Sequence, residues 1–179
     1  MSKLLTVESK NDIPKAYRKT PVGLLLEYHN LNRSFETYDN AQLLIGTCMD
    51  NRIWLRHPNN FAFTLRTGGA NLRANDFHVS YAIGVAGIRY LALIGHTQCG
   101  MIHLHERMNP FIEGLRDSGW NAVRAREHFN HLAPLHEIDH EVDFTLAEAR
   151  RLSERYPEVL VAPMIYRVED HRLYLVKDF

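Results

Sequence analysis

The sequence predicts an α/β domain: a mainly parallel β-sheet flanked by helices, with an antiparallel C-terminal edge strand and a helical N-terminal arm. Three observations predict it. The runs 43–47 and 89–95 are short, apolar and end in small residues, as strands buried on both faces do. Stretches of helical length and pattern alternate with them, which is the order of a parallel sheet crossed over by helices. The last two apolar runs, 159–168 and 171–176, are separated only by Glu169-Asp170 and read as a hairpin.

Taken in order, residues 1–40 are mixed and polar around a helical stretch at 17–31 that Pro21 interrupts, and they form the N-terminal arm. Residues 41–179 then form one metal-binding α/β domain. The strand at 43–47 opens into a loop at Cys48. A second strand, 61–66, alternates and ends at Gly68-Gly69. Asn75 or Asp76 caps a helix that Gly87 stops. The run 89–95 is the clearest buried strand, and a helix should begin near Gly100. Residues 110–134 are helical in composition, with breaks near Gly114 and Gly119. The stretch 139–156 reads as one amphipathic helix with Val142, Leu146, Ala149 and Leu152 on one face, ended by Pro157.

Composition narrows the class. At 179 residues the chain holds one sizeable core, not two. Its 21 basic and 21 acidic residues balance, which argues against a nucleic-acid or anionic-membrane binder. No apolar run approaches the roughly 18 residues of a membrane span, and the N-terminus lacks the apolar core and cleavage site of a secretory signal. A cytoplasmic protein is expected.

Chemistry concentrates at two strand ends. Cys48-Met49-Asp50-Asn51-Arg52 follows the first strand, and His96-Thr97-Gln98-Cys99-Gly100 follows the third. In an open parallel sheet such loops meet beyond the carboxyl ends of the strands. Two thiolates and an imidazole are zinc ligands that leave a fourth position open; buried, inert thiols are the bland alternative. Ionised Asp50 is placed to accept a hydrogen bond from a water on the ion. Arg52 can hold Asp50 off the metal through a bidentate pair, the alternative being a charged pair on a surface loop. Gly68 and Gly69 permit close backbone approach, or form an ordinary turn. The other histidines assign nothing individually.

These segments resemble the β-class carbonic anhydrases. The match lies in Cys48-Met49-Asp50-Asn51-Arg52 and Gly95-His96-Thr97-Gln98-Cys99-Gly100-Met101. It extends to Leu65-Arg66-Thr67-Gly68-Gly69, a variant of the family's Ile-Arg-Asn-Ala-Gly segment, and to Met164-Ile165-Tyr166-Arg167-Val168. The resemblance implies zinc on Cys48, His96 and Cys99, and reversible hydration of carbon dioxide to bicarbonate and a proton. It also implies Arg66 near the metal, as an anion or interface contact, and a homodimer, or a higher assembly of dimers, with N-terminal arms laid over the partner. The apolar residues Leu24, Leu25, Leu26, Tyr28, Leu31, Phe35 and Tyr38 would then cover a partner's surface. The stretch between Arg52 and Arg66 is shorter than in the family, and it borders the pocket. A hydrolase of carbonyl sulfide or carbon disulfide is therefore the first alternative. A non-catalytic zinc protein that binds bicarbonate is the second.

Overall fold

The computed structural model describes residues 4–177 and 179. Its single six-stranded sheet has the order β1-β6-β5-β4-β2-β3. The strands are β1 (Leu4–Leu5), β2 (Leu43–Cys48), β3 (Ala62–Thr67), β4 (Tyr90–His96), β5 (Leu160–Arg167) and β6 (Arg172–Val176). β3, β2, β4 and β5 are mutually parallel, while β6 and then β1 add antiparallel. The mainly parallel sheet is as the sequence predicts. The hairpin strand β6 is not the edge, however, because Leu4 and Leu5 pair with Val176 and Leu175 outside it.

Strand alternation sorts the core onto two faces. Leu43, Ile45, Ala92, Ile94, Ala162 and Met164 point to one side. Leu44, Leu91, Leu93 and Val161 point to the other. The helices are α1 (Pro21–Asn30), α2 (Asp76–Gly84), α3 (Met108–Asp117), α4 (Ala122–His136) and α5 (Glu141–Arg155). α1 covers the first face with Val22, Leu25, Leu26 and Tyr28, all fully buried. The second face receives Val79 and Ala82 of α2 and Ala149 and Leu152 of α5. Each of the valine and leucine side chains contributes about 1.5–3 kcal/mol when fully buried. Leu24, Leu25, Leu26, Tyr28 and Tyr38 thus pack against this chain's own core and do not need a partner's surface, whereas Phe35 stays 52% exposed.

Several boundaries differ from the sequence reading for local reasons. α1 starts at Pro21, which occupies the first turn behind Thr20, whose hydroxyl accepts from the Gly23 N–H at 3.4 Å. No helix starts at Gly100: His103 takes a left-handed φ of 48°, and a 3₁₀ turn at Leu104–Arg107 leads into α3. Gly114 lies inside α3, and the break falls at Gly119. α2 ends at Gly84, ahead of Gly87.

Candidate metal centre

β2 and β4 lie side by side, with Thr47 opposite Ile94, so their carboxyl ends deliver Cys48 and His96 to the same rim of the sheet. Cys99 returns to that point through a tight loop in which Gln98 adopts a left-handed φ of 58°. All three side chains are buried: Cys48 is 3%, Cys99 6% and His96 1% exposed. Their ligand atoms lie within 4.8 Å of one another and form a group that can hold a metal ion.

The donor chemistry fits a soft divalent cation. His96 Nδ1 lies 2.9 Å from the Thr97 carbonyl, which only accepts, so Nδ1 carries the proton. Nε2 is left with its lone pair, buried and without a hydrogen-bond partner. An orphaned imidazole nitrogen facing two thiols is a costly arrangement unless a ligand fills it. A hydrogen bond from Cys99 pulls the Cys48 thiol well below its usual range. The same bond and burial push the Cys99 thiol up. A divalent cation in place of that hydrogen bond satisfies both sulfurs. The Gly69 N–H also donates to Cys48 Sγ at 3.3 Å, from a φ of 63° that suits glycine. Glu141, in the first turn of α5, accepts from the Cys99 N–H at 3.4 Å.

Asp50 stands beside this group, its Oδ2 3.9 Å from His96 Nε2. Arg52 grips it twice, Nε to Oδ1 at 3.0 Å and Nη2 to Oδ2 at 2.7 Å, and the Arg52 N–H adds a third bond at 2.9 Å. This guanidinium holds the Asp50 carboxyl down to about 2. Arg66, which the resemblance implied as an anion or interface contact, here bonds backbone carbonyls. Its Nε donates to the Cys48 carbonyl at 3.2 Å and its Nη2 to the Asp50 carbonyl at 2.6 Å, so it braces the ligand-bearing loop. Gly68 meets the Met101 thioether, which a Cβ there would approach to 3.0 Å.

Beyond Met49, Gly68 and Met101 opens an apolar cavity of about 340 Å³, closed by Phe129, Leu132 and Ala133 of α4. No local pattern signals this cavity, because its walls come from separate segments of the chain. The sequence also left Glu169 and Tyr166 without a role. Tyr166 donates to the Arg52 carbonyl at 3.3 Å, and Glu169 accepts from Thr97 Oγ1 at 2.8 Å and Gln98 Nε2 at 3.0 Å. An acidic pair in the hairpin turn, next to a strand end that carries a ligand loop, was the one available hint. A second apolar groove, between β3 and α2, is lined by Phe63, Phe77 and Tyr81. No helix among the described residues is long and apolar enough to cross a membrane.

No protein-family model matches the chain, and no curated protein sequence matches it. Solved structures do. A β-carbonic anhydrase of Trichomonas vaginalis superposes with a TM-score of 0.63 at 15% identity, over 83% of this chain and 91% of that one. A carbonic anhydrase from Glaciozyma antarctica gives 0.55 at 25% identity, over 79% and 85%. A carbon disulfide hydrolase gives 0.57 at 17% identity, over 78% and 80%. Together with the ligand group on the sheet rim, these likenesses establish the architecture: the chain carries the fold of the β-class carbonic anhydrases.

Proposed function

We propose that the protein is a zinc enzyme that reversibly hydrates carbon dioxide to bicarbonate and a proton. The observation that carries this reading is the buried Cys48, His96 and Cys99 group with an orphaned Nε2, beside a carboxylate that an arginine holds aside. Zinc, when bound, supplies a Lewis acid that lowers the pKa of a water molecule towards neutrality. The two thiolates would offset much of its charge, so the protein has to help that water by other means. Asp50, kept ionised by Arg52, would accept a hydrogen bond from that water and aim its lone pair. Arg66 and the Gly69 N–H hold the Cys48 loop in place. The apolar cavity behind Met49 and Met101 offers a neutral, linear electrophile a water-poor approach. The proton leaves to solvent or buffer.

The same cavity favours one second reading, hydrolysis of carbonyl sulfide or carbon disulfide, whose greater apolar character suits walls that are mainly Met, Phe and Leu, with His128 and His136 beside them. A non-catalytic bicarbonate binder is disfavoured by Arg52, since a closed site needs Asp50 free to reach the metal. We propose further that the chain is a homodimer. β3 is a free sheet edge, and beside it Phe63, Phe77, Tyr81 and Val85 are 43%, 76%, 54% and 69% exposed, a contiguous surface that a second copy would cover.

Stopped-flow measurement on zinc-loaded protein, first with carbon dioxide and then with the two sulfur compounds, tests the reaction. Turnover of carbon dioxide well above the uncatalysed rate is expected, falling about tenfold (about 1.4 kcal/mol) in Ala133→Phe, which fills the cavity while leaving the zinc ligands alone. Absence of turnover with all three substrates in fully loaded protein refutes the proposal.

A further inference from the structure

We propose that Gln98 and Glu169 are positioning residues for the Asp50–Arg52 pair: anchored on the β5–β6 turn, they hold the Arg52 guanidinium where it keeps the Asp50 carboxylate off the metal. This rests on the reading of Asp50 as the group that would otherwise close the site.

Arg52 sits in a loop, and its side chain is 42% exposed. A long, solvated arginine loses considerable rotamer entropy when held in one geometry, so a bidentate pair at the surface is not self-sustaining. The structure supplies the rest of the restraint. Arg52 Nη2 also donates to the Gln98 carbonyl at 2.9 Å, and Nη1 donates to Gln98 Oε1 at 3.2 Å. The other end of that amide, Nε2, donates to Glu169 Oε1 at 3.0 Å. The orientation of the amide follows from chemistry: the guanidinium only donates and the carboxylate only accepts, so a flipped amide would lose both bonds. Gln98 is therefore read from two sides, by Arg52 and by Glu169, and a glutamate or a lysine in its place would satisfy only one of them.

Glu169 is fixed in turn. Its second oxygen accepts from Thr97 Oγ1 at 2.8 Å, and that hydroxyl accepts from the Val168 N–H at 3.0 Å. The Thr97 N–H bonds the Tyr166 carbonyl at 3.1 Å, and the Tyr166 hydroxyl reaches the Arg52 carbonyl at 3.3 Å. The end of β5 thus grips Arg52 at its backbone and, through Gln98, at its guanidinium. The left-handed backbone of Gln98 is a conformation that a non-glycine residue holds only when its surroundings insist on it. Gln98 lies between two metal ligands, so the chain Glu169–Gln98–Arg52–Asp50 joins the hairpin turn to the group nearest the metal.

The test uses the full-length zinc protein and reads the fourth zinc ligand by X-ray absorption, zinc content by elemental analysis, and kcat. The variants are Glu169→Ala, at an exposed turn, and Gln98→Gly, which removes the amide while easing the left-handed backbone. Both should retain one zinc per chain, gain a carboxylate in the first coordination sphere, and lose about tenfold or more in kcat. Glu169→Gln, which keeps an acceptor oxygen, should retain most of the wild-type behaviour. In an Asp50→Asn background, Glu169→Ala should change the zinc spectrum no further, because the carboxylate that would move in is gone. Wild-type coordination and kcat in both variants, with Arg52→Ala alone bringing in the carboxylate, would overturn the positioning role and leave the gate standing. If Arg52→Ala also leaves the coordination unchanged, the gate itself is wrong and this inference goes with it.

Discussion

Replacing Gly95 by alanine should weaken the fold and the metal site together, because Gly95 precedes His96 in β4 where α5 crosses the sheet. A Cβ at this position would lie 2.2 Å from Thr145 Oγ1 and 3.1 Å from Ile165 Cδ1. Neither neighbour has room to withdraw, since Thr145 is 1% and Ile165 0% exposed. Overpacking of this kind costs about 1–3 kcal/mol. In a chain of this length each kcal/mol lowers Tm by about 2–4 °C, so a fall of roughly 2–12 °C is expected. The clash is chiefly with one atom, which suggests its own control. Thr145 Oγ1 is buried without a hydrogen-bond partner, so Thr145→Ala should be close to neutral alone. Combined with Gly95→Ala it should recover at least half of the lost stability, because the remaining Thr145 Cβ would sit at an ordinary 3.5 Å. Thermal denaturation at fixed zinc concentration, with metal affinity by chelator competition, reads both effects. A Gly95→Ala protein that melts within about 1 °C of wild type, or a Thr145→Ala background that gives no recovery, would refute the packing argument.

Three further outcomes are expected. Elemental analysis should find one zinc per chain, and Cys48→Ala, His96→Ala or Cys99→Ala should reduce it to trace levels and lower Tm; undiminished zinc in any one of them removes that residue from the ligand set. Sedimentation should show a dimer at sub-micromolar protein, and Phe77→Asp with Tyr81→Asp should yield a folded monomer, whereas a wild type that is monomeric throughout refutes the β3–α2 interface. Burial holds the His29 imidazole down to about 4 from 6.5, against the pull of the His171 carbonyl. It is neutral in the fold, donating from Nε2 to His171 and accepting at Nδ1 from the Arg56 N–H. The unfolded chain therefore binds the extra proton between those two values. Stability is full above pH 6.5 and falls as pH drops towards 4, by about 2 kcal/mol between pH 7 and 5. Urea titrations of wild type and His29→Gln at the two pH values should differ by that slope, and parallel behaviour would show His29 to be uncoupled.

The Cys48, His96 and Cys99 group was legible because the spacing is local within each loop and the parallel sheet brings the loops together. Cys48 and His96 are the last residues of adjacent strands, so strand ends alone predict their meeting. Asp50 and Arg52 were legible for the same reason, two residues apart on one turn. What supports them was not. Glu141 reaches Cys99 from the start of α5, and Glu169 reaches Gln98 from the hairpin turn; a charged residue reads alike whether it faces solvent or a loop seventy residues away in sequence. Arg66 was placed near the metal, but its use on backbone carbonyls depends on where the 48–53 loop turns, which no pattern reveals. The helix expected at Gly100 does not form there: Ile102 bridges to Ile138, and His103 takes a left-handed φ.

The N-terminal segment carries the more general lesson, because its apolar pattern is the same whether it covers a partner or its own sheet. Here Val7, Ile13, Val22, Leu25, Leu26 and Tyr28 are fully buried in one cluster with Ile45, Ile94 and Met164. Asn30 ties this segment to β6, its amide donating to the Leu173 carbonyl at 2.8 Å and its oxygen accepting from the Leu173 N–H at 3.0 Å. At about 1.5–3 kcal/mol for each side chain, the six contribute on the order of 10 kcal/mol, comparable to the whole stability of an ordinary domain. Truncating the first thirty-five residues would therefore unfold the sheet that presents Cys48 and His96, whatever the oligomeric state. Loss of zinc in such a truncation would say nothing about a partner. Only a change confined to the exposed surface of β3 and α2, where Phe77 and Tyr81 contribute little to the chain's own core, separates assembly from folding.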